Sequence, residues 1–116
     1  MTPTLYGISN CDTVRKARVW LTGHGVTHDF HDYRKGGIDR ARLEGWVASH
    51  GWETVLNRAG TTFKALPDAD KIGLDAAKAI DLMLARPSMI KRPVLDLGDR
   101  TLVGFKPDIY AAAIAP

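Results

Sequence analysis

A chain of 116 residues with 45% apolar and 25% charged side chains fits one ordinary globular domain, long enough to bury about two-thirds of the surface its unfolded form exposes. The net charge of +3, from 16 basic and 13 acidic residues, is too small and too interspersed to read as a nucleic-acid surface. No apolar run approaches the roughly 18 residues of a membrane span, the start "MTPTLYGIS" lacks a secretory signal, and one cysteine closes no disulfide within the chain.

Residues 4 to 8, "TLYGI", predict a short apolar strand. A helix follows directly after Cys11, with Val14, Ala17, Arg18 and Leu21 at helical spacing, Asn10 as its cap and Gly23 or Gly25 as its stop. "VTHDFHDY", from Val26 to Tyr33, alternates weakly and predicts a second strand. A strand, helix and strand in so short a span make the two strands parallel neighbours.

The middle of the chain predicts helices only. Asp39 caps one whose Leu43, Trp46, Val47 and His50 share a face, and "WETVL" adds a short second piece. "NRAGTTFKALPDADKIG" is loop with a turn or two of helix, and residues 75 to 85 return to helical spacing through Ala77, Ile80, Met83 and Leu84 until Pro87. The C-terminal part predicts a hairpin. "PVLDL" and "RTLVGF" are apolar runs separated by Gly98 and Asp99, a type II′ signal, and Pro107 opens a last helix, "PDIYAAAIA". The order β-α-β, helical insertion, β-β-α predicts an α/β fold: a thioredoxin-like mixed four-stranded sheet from residues 1–36 and 88–116, with an inserted helical subdomain at 37–87.

This order puts Cys11 where the first strand hands over to the first helix, with free backbone N–H groups facing its sulfur. A lone cysteine is more often a small buried hydrophobe. Polar neighbours Asn10, Asp12 and Thr13 and the basic turn that follows argue instead for a reachable thiol. The helix dipole contributes about 0.3–1 kcal/mol toward ionisation, less than the about 1.4 kcal/mol of one pKa unit, so hydrogen bonds or a guanidinium must supply the rest. Arg15, one turn on, is the nearest candidate, while the Asp12 carboxylate opposes the thiolate. The four histidines lack metal-ligand spacing, so no metal is expected.

"YGISNCDTVRKAR", "VLNRAGTTFKAL" and "LMLARPSMIKRPVLDL" together resemble the arsenate-reductase-like family, which includes ArsC, Spx and YffB. The likeness is closest to the YffB branch, whose members carry "NCDT" followed by a basic helix. The resemblance implies a thioredoxin-like sheet with an inserted helical subdomain and Cys11 as the nucleophile or redox thiol. It implies that Arg58 and Arg92 match two oxyanion-holding arginines, and that Pro93 is a cis proline opposite the cysteine.

Two departures weaken an arsenate reading: Lys106 stands where the third arginine belongs, and Asp12 replaces a small neutral residue after the cysteine. The Spx switch needs a CxxC pair, and Val14 occupies the second position. The expectation is a cytoplasmic, glutathione-dependent thiol reductase that forms a mixed disulfide on Cys11, with Arg15, Arg58, Arg92, Pro93 and Lys106 receiving the substrate. A glutaredoxin-coupled arsenate reductase and an Spx-like protein that binds RNA polymerase without catalysis are the alternatives.

Overall fold

A computed structural model describes residues 2–114. They divide into two contact units, one of residues 2–32 and 92–114 and the other Tyr33–Lys91. The second begins and ends outside the expected 37–87. Tyr33 belongs to it because its ring is fully buried and its hydroxyl donates to the Ile90 carbonyl at 3.0 Å.

In the first unit, strand β1 (Thr4–Gly7) leads to helix α1 (Asp12–Gly23), whose buried stripe is Val14, Ala17 and Leu21. Arg18 lies outside that stripe, its guanidinium 4.5 Å from the Phe30 ring centroid. The helix stops as its glycines predict. Gly25 takes φ 72, and Val26 N–H donates to Leu21 O at 2.8 Å. That bond ties Val26 to the helix end, so strand β2 is only Asp29–Asp32 and not the whole of Val26–Tyr33.

β2 runs parallel to β1, with Leu5 opposite Phe30. Strand β3 (Val94–Asp96) pairs antiparallel with β1, and strand β4 (Thr101–Val103) with β3, giving the mixed order β2-β1-β3-β4. The hairpin closes as a two-residue loop: Leu97 N–H donates to Arg100 O at 2.9 Å, and φ is +95 at Gly98 but not positive at Asp99. This sign pattern is that of type II′. The last helix, Pro107–Ile114 among the described residues, starts at the expected proline, and Ala115 lies outside the described residues.

Leu5, Val14, Ala17, Leu21, Leu95 and Tyr110 form this unit's buried cluster. Tyr110 donates its hydroxyl to Gly104 O at 3.1 Å, and burial pushes its phenol strongly up. Gly7 is dictated by the approach of α1 to β1: a Cβ there would lie 2.8 Å from Val14 Cγ2, a side chain with no exposed surface. Gly7→Ala is therefore expected to destabilise by about 1–3 kcal/mol through overpacking, more than the about 0.4–1 kcal/mol alanine returns by restricting the unfolded chain. A lower urea midpoint at unchanged slope is the signature; an equal or higher midpoint refutes the packing argument.

The second unit holds α2 (Tyr33–Gly36), α3 (Arg40–His50), α4 (Trp52–Val55), α5 (Thr61–Lys64), α6 (Asp68–Lys71) and α7 (Ala76–Ala85). Asp39 caps α3 by accepting from Arg42 N–H at 3.2 Å, and Leu43, Trp46 and Val47 are buried. Asp75 caps α7 in the same way through Lys78 N–H at 2.8 Å. The buried face of α7 is Ala79, Ile80 and Met83; Ala77 is exposed, contrary to its place in the expected stripe. Pro87 ends α7 and opens a 3-10 turn, Pro87–Met89. A bridge between Leu56 and Ile90, flanked by Asn57 N–H to Met89 O and Lys91 N–H to Val55 O, both at 2.8 Å, closes the unit. Among the described residues, no helix is long and apolar enough to cross a membrane.

Candidate active site

Cys11 is itself the residue that caps α1, with extended backbone (φ −132, ψ 127). Asn10, the expected cap, is an exposed turn residue instead. The reason lies one step upstream, in a loop pinned by Asp32. Its carboxylate Oδ2 accepts from Ser9 N–H at 3.1 Å and from Ser9 Oγ at 3.0 Å. Asp32 closes β2 beside β1, so the tie fixes the strand-to-helix turn from the neighbouring strand. Neither Ser9 nor Asp32 is singled out by the sequence. A short polar residue two positions before the cysteine and a carboxylate ending the parallel strand are the signals that point to them.

The Cys11 sulfur is partly buried and closes no conventional capping hydrogen bond. Four influences nonetheless favour its charged form over the neutral one. Burial, the largest single influence, pushes the thiol up. The Val14 N–H, a hydrogen bond from the Arg92 side chain, the Thr13 N–H and the Arg92 charge together outweigh it and hold the thiol below its ordinary 9.0. These are charge-dependent contacts, which strengthen when the sulfur ionises.

Arg92 thus takes the role that proximity along the helix suggested for Arg15. The Arg15 guanidinium pairs with the Asp12 carboxylate one turn back, and both side chains are exposed. Asp12 also places a negative charge in the first turn, where the helix dipole favours it. The Arg92–Pro93 peptide is cis, Pro93 is buried, and its carbonyl accepts from Gly104 N–H at 2.7 Å. Lys106 is exposed at the entrance to the last helix, where its carbonyl accepts from Tyr110 N–H at 3.0 Å.

Arg58 belongs to the second unit, where its guanidinium lies 5.4 Å from the Trp52 ring centroid. Within the first unit, then, Cys11, Thr13, Val14 and Arg92 come together around one sulfur, and Asp12 and Arg15 form a separate pair. Backbone N–H groups and a guanidinium around the sulfur favour its thiolate, the nucleophilic form of a cysteine.

The ArsC family model matches residues 6–113. A solved YffB protein is 68% identical, with a TM-score of 0.96 and coverage of 98% of this chain and 100% of its own. An arsenate reductase related protein from Brucella melitensis is 51% identical, with a TM-score of 0.78 and coverage of 100% of this chain and 97% of its own. The global transcriptional regulator Spx of Streptococcus pyogenes is 30% identical over 97% of this chain and 84% of its own.

Proposed function

Because the chain belongs to the ArsC family and shares its thioredoxin-like α/β fold, we propose that it is a glutathione-dependent thiol reductase. The observation that carries this reading is the Arg92 hydrogen bond to a thiol that is held below its ordinary pKa and is the chain's one cysteine.

A mixed disulfide of glutathione and a substrate thiol is the reactant. The Cys11 thiolate attacks the glutathione sulfur, the substrate thiolate leaves, and a Cys11–glutathione disulfide forms. A second glutathione thiolate then attacks that disulfide at the glutathione sulfur, releases oxidised glutathione and regenerates the Cys11 thiolate. One disulfide is consumed and one formed, so electrons balance with glutathione as the reductant. A chain with a single thiol needs this external partner, because it has no resolving cysteine of its own.

Arg92 favours the thiolate as nucleophile and later as leaving group. Arg92 and Lys106 supply cationic partners for glutathione carboxylates. Native protein incubated with oxidised glutathione is expected to gain one glutathione on Cys11, read by intact-mass and peptide mass spectrometry. No adduct on the native protein, beside a full adduct on the urea-unfolded chain, sinks the reading.

An arsenate reductase is the weaker reading. Asp12 adds a carboxylate beside the thiol and engages Arg15, and Lys106 brings a charge without the planar two-bond grip of arginine. The identity with Spx favours a regulatory reading, in which the chain binds RNA polymerase. Retention of polymerase subunits from lysate that survives Cys11→Ala distinguishes it from the enzyme.

A further inference from the structure

The side of α1 that faces away from its core stripe carries a second feature. Asp12, Arg15, Lys16, Val19 and Trp20, at successive helical spacings, line a groove of about 510 Å3 together with Phe105. Val19 is 73% exposed, an apolar side chain held in water. The aromatic walls are braced from behind. Trp20 stacks on His24 at 3.9 Å and meets Tyr110 edge-on at 5.7 Å, and Phe105 meets Tyr110 edge-on at 4.9 Å. Walls fixed in advance bind without the cost of ordering them.

The groove has two chemically different ends. Its polar end, Asp12, Arg15 and Lys16, begins one residue after Cys11. With Asp12 engaged by Arg15, Lys16 leaves that end net positive. Its apolar end, Val19, Trp20 and Phe105, starts eight residues beyond Cys11, about 12 Å along the helix at 1.5 Å per residue.

We infer that this groove is the substrate-recognition subsite of the thiol reductase proposed above. It takes an extended peptide segment whose glutathionylated cysteine sits beside an acidic residue and precedes an aromatic residue by three or four positions. The inference rests on the thiol-reductase reading. Asp12, the first residue of the lining, directly follows Cys11 in the chain, which sets the position of the peptide cysteine, and the positive end selects the carboxylate. The 12 Å span, at about 3.3 Å per extended residue, sets the spacing to the aromatic side chain. The chemistry is the one already written: Cys11 attacks the glutathione sulfur, and the peptide thiolate is the leaving group.

The test uses the full chain and four glutathione mixed disulfides. One is a peptide of sequence type Cys-Glu-Ala-Ala-Trp, the second has Lys for Glu, the third has Ala for Trp, and the fourth is the mixed disulfide with 2-mercaptoethanol. The native protein is expected to favour the first peptide over the second and third by about tenfold in kcat/KM, each value normalised to the rate on the small disulfide. Val19→Asp is expected to erase the preference for Trp and Lys16→Glu the preference for Glu, with thermal melts confirming that both variants fold.

Equal efficiency on all three peptides, or preferences unchanged in the variants, overturns the groove while turnover of the small disulfide leaves the reductase reading standing. Turnover of none of the four overturns both. A dimer in sedimentation that Val19→Asp dissolves assigns the groove to a second copy of the chain and likewise overturns the inference.

Discussion

Cys11→Ser is expected to lower glutathione-dependent disulfide turnover by at least about a thousandfold while leaving the fold intact. The nucleophile is a thiolate, and a serine hydroxyl stays neutral at any pH the protein tolerates, so no environment rescues the attack. The chain has one cysteine, hence no neighbouring thiol substitutes for it. Serine is also a good helix cap, and Cys11 occupies the capping position with extended backbone, so the variant keeps or slightly strengthens the start of α1. Loss of activity with an unchanged melt is thus a chemical loss. The measurement is turnover of a small glutathione mixed disulfide coupled to glutathione reductase. A serine variant within tenfold of native removes Cys11 from the mechanism.

The second large effect is expected at Arg92. Its guanidinium both hydrogen-bonds and charges the surroundings of the sulfur, and hydrogen bonds to charged groups contribute about 1.5–3 kcal/mol. The thiol is only partly buried, so solvent screens part of that. A residual of about 1.4 kcal/mol is a tenfold change in thiolate population. Arg92→Ala is expected to slow Cys11 alkylation at pH 7 by about tenfold and to move the pH midpoint of alkylation upward.

The direction follows from the charge. Native Cys11 titrates below its ordinary 9.0, so removing a cation that favours the thiolate moves the midpoint back toward that value. Arg92→Lys is expected to fall between, keeping charge while losing the fixed planar donor. An Arg92→Ala midpoint equal to native shows that the helix N–H groups alone set the thiol. The same shift links thiol ionisation to stability. The depressed folded value adds stability that is present above the unfolded thiol pKa and lost as pH falls through the folded one. A native-minus-Cys11→Ser stability difference that grows with rising pH is the matching equilibrium signature.

The features legible in the sequence are those written into a few adjacent residues. Gly98-Asp99 signals a two-residue loop locally, because glycine takes the positive φ of the first turn position without strain. Asp39 and Pro107 mark helix starts through groups on their own side chain or ring. Cys11 stands out in the same way, at a handover between two periodicities.

What was illegible depends on partners distant in sequence. Arg15 is close to Cys11 along the helix, yet a nearer carboxylate takes its guanidinium, and the group that reaches the sulfur comes from residue 92 through the sheet. The second strand is short because Val26 bonds to the end of α1, a tie that alternation of side chains does not report. On α7, alanines stand at 76, 77, 79 and 85, so spacing alone does not decide whether Ala77 or Ala79 faces inward.

The sheet order leaves β2 and β4 outermost, and both are brief: four residues in one, three in the other. The β2 margin carries Asp29 and Asp32, whose like charges repel a second β2 margin laid alongside it. Two β2 margins are therefore poorly equipped to pair edge to edge.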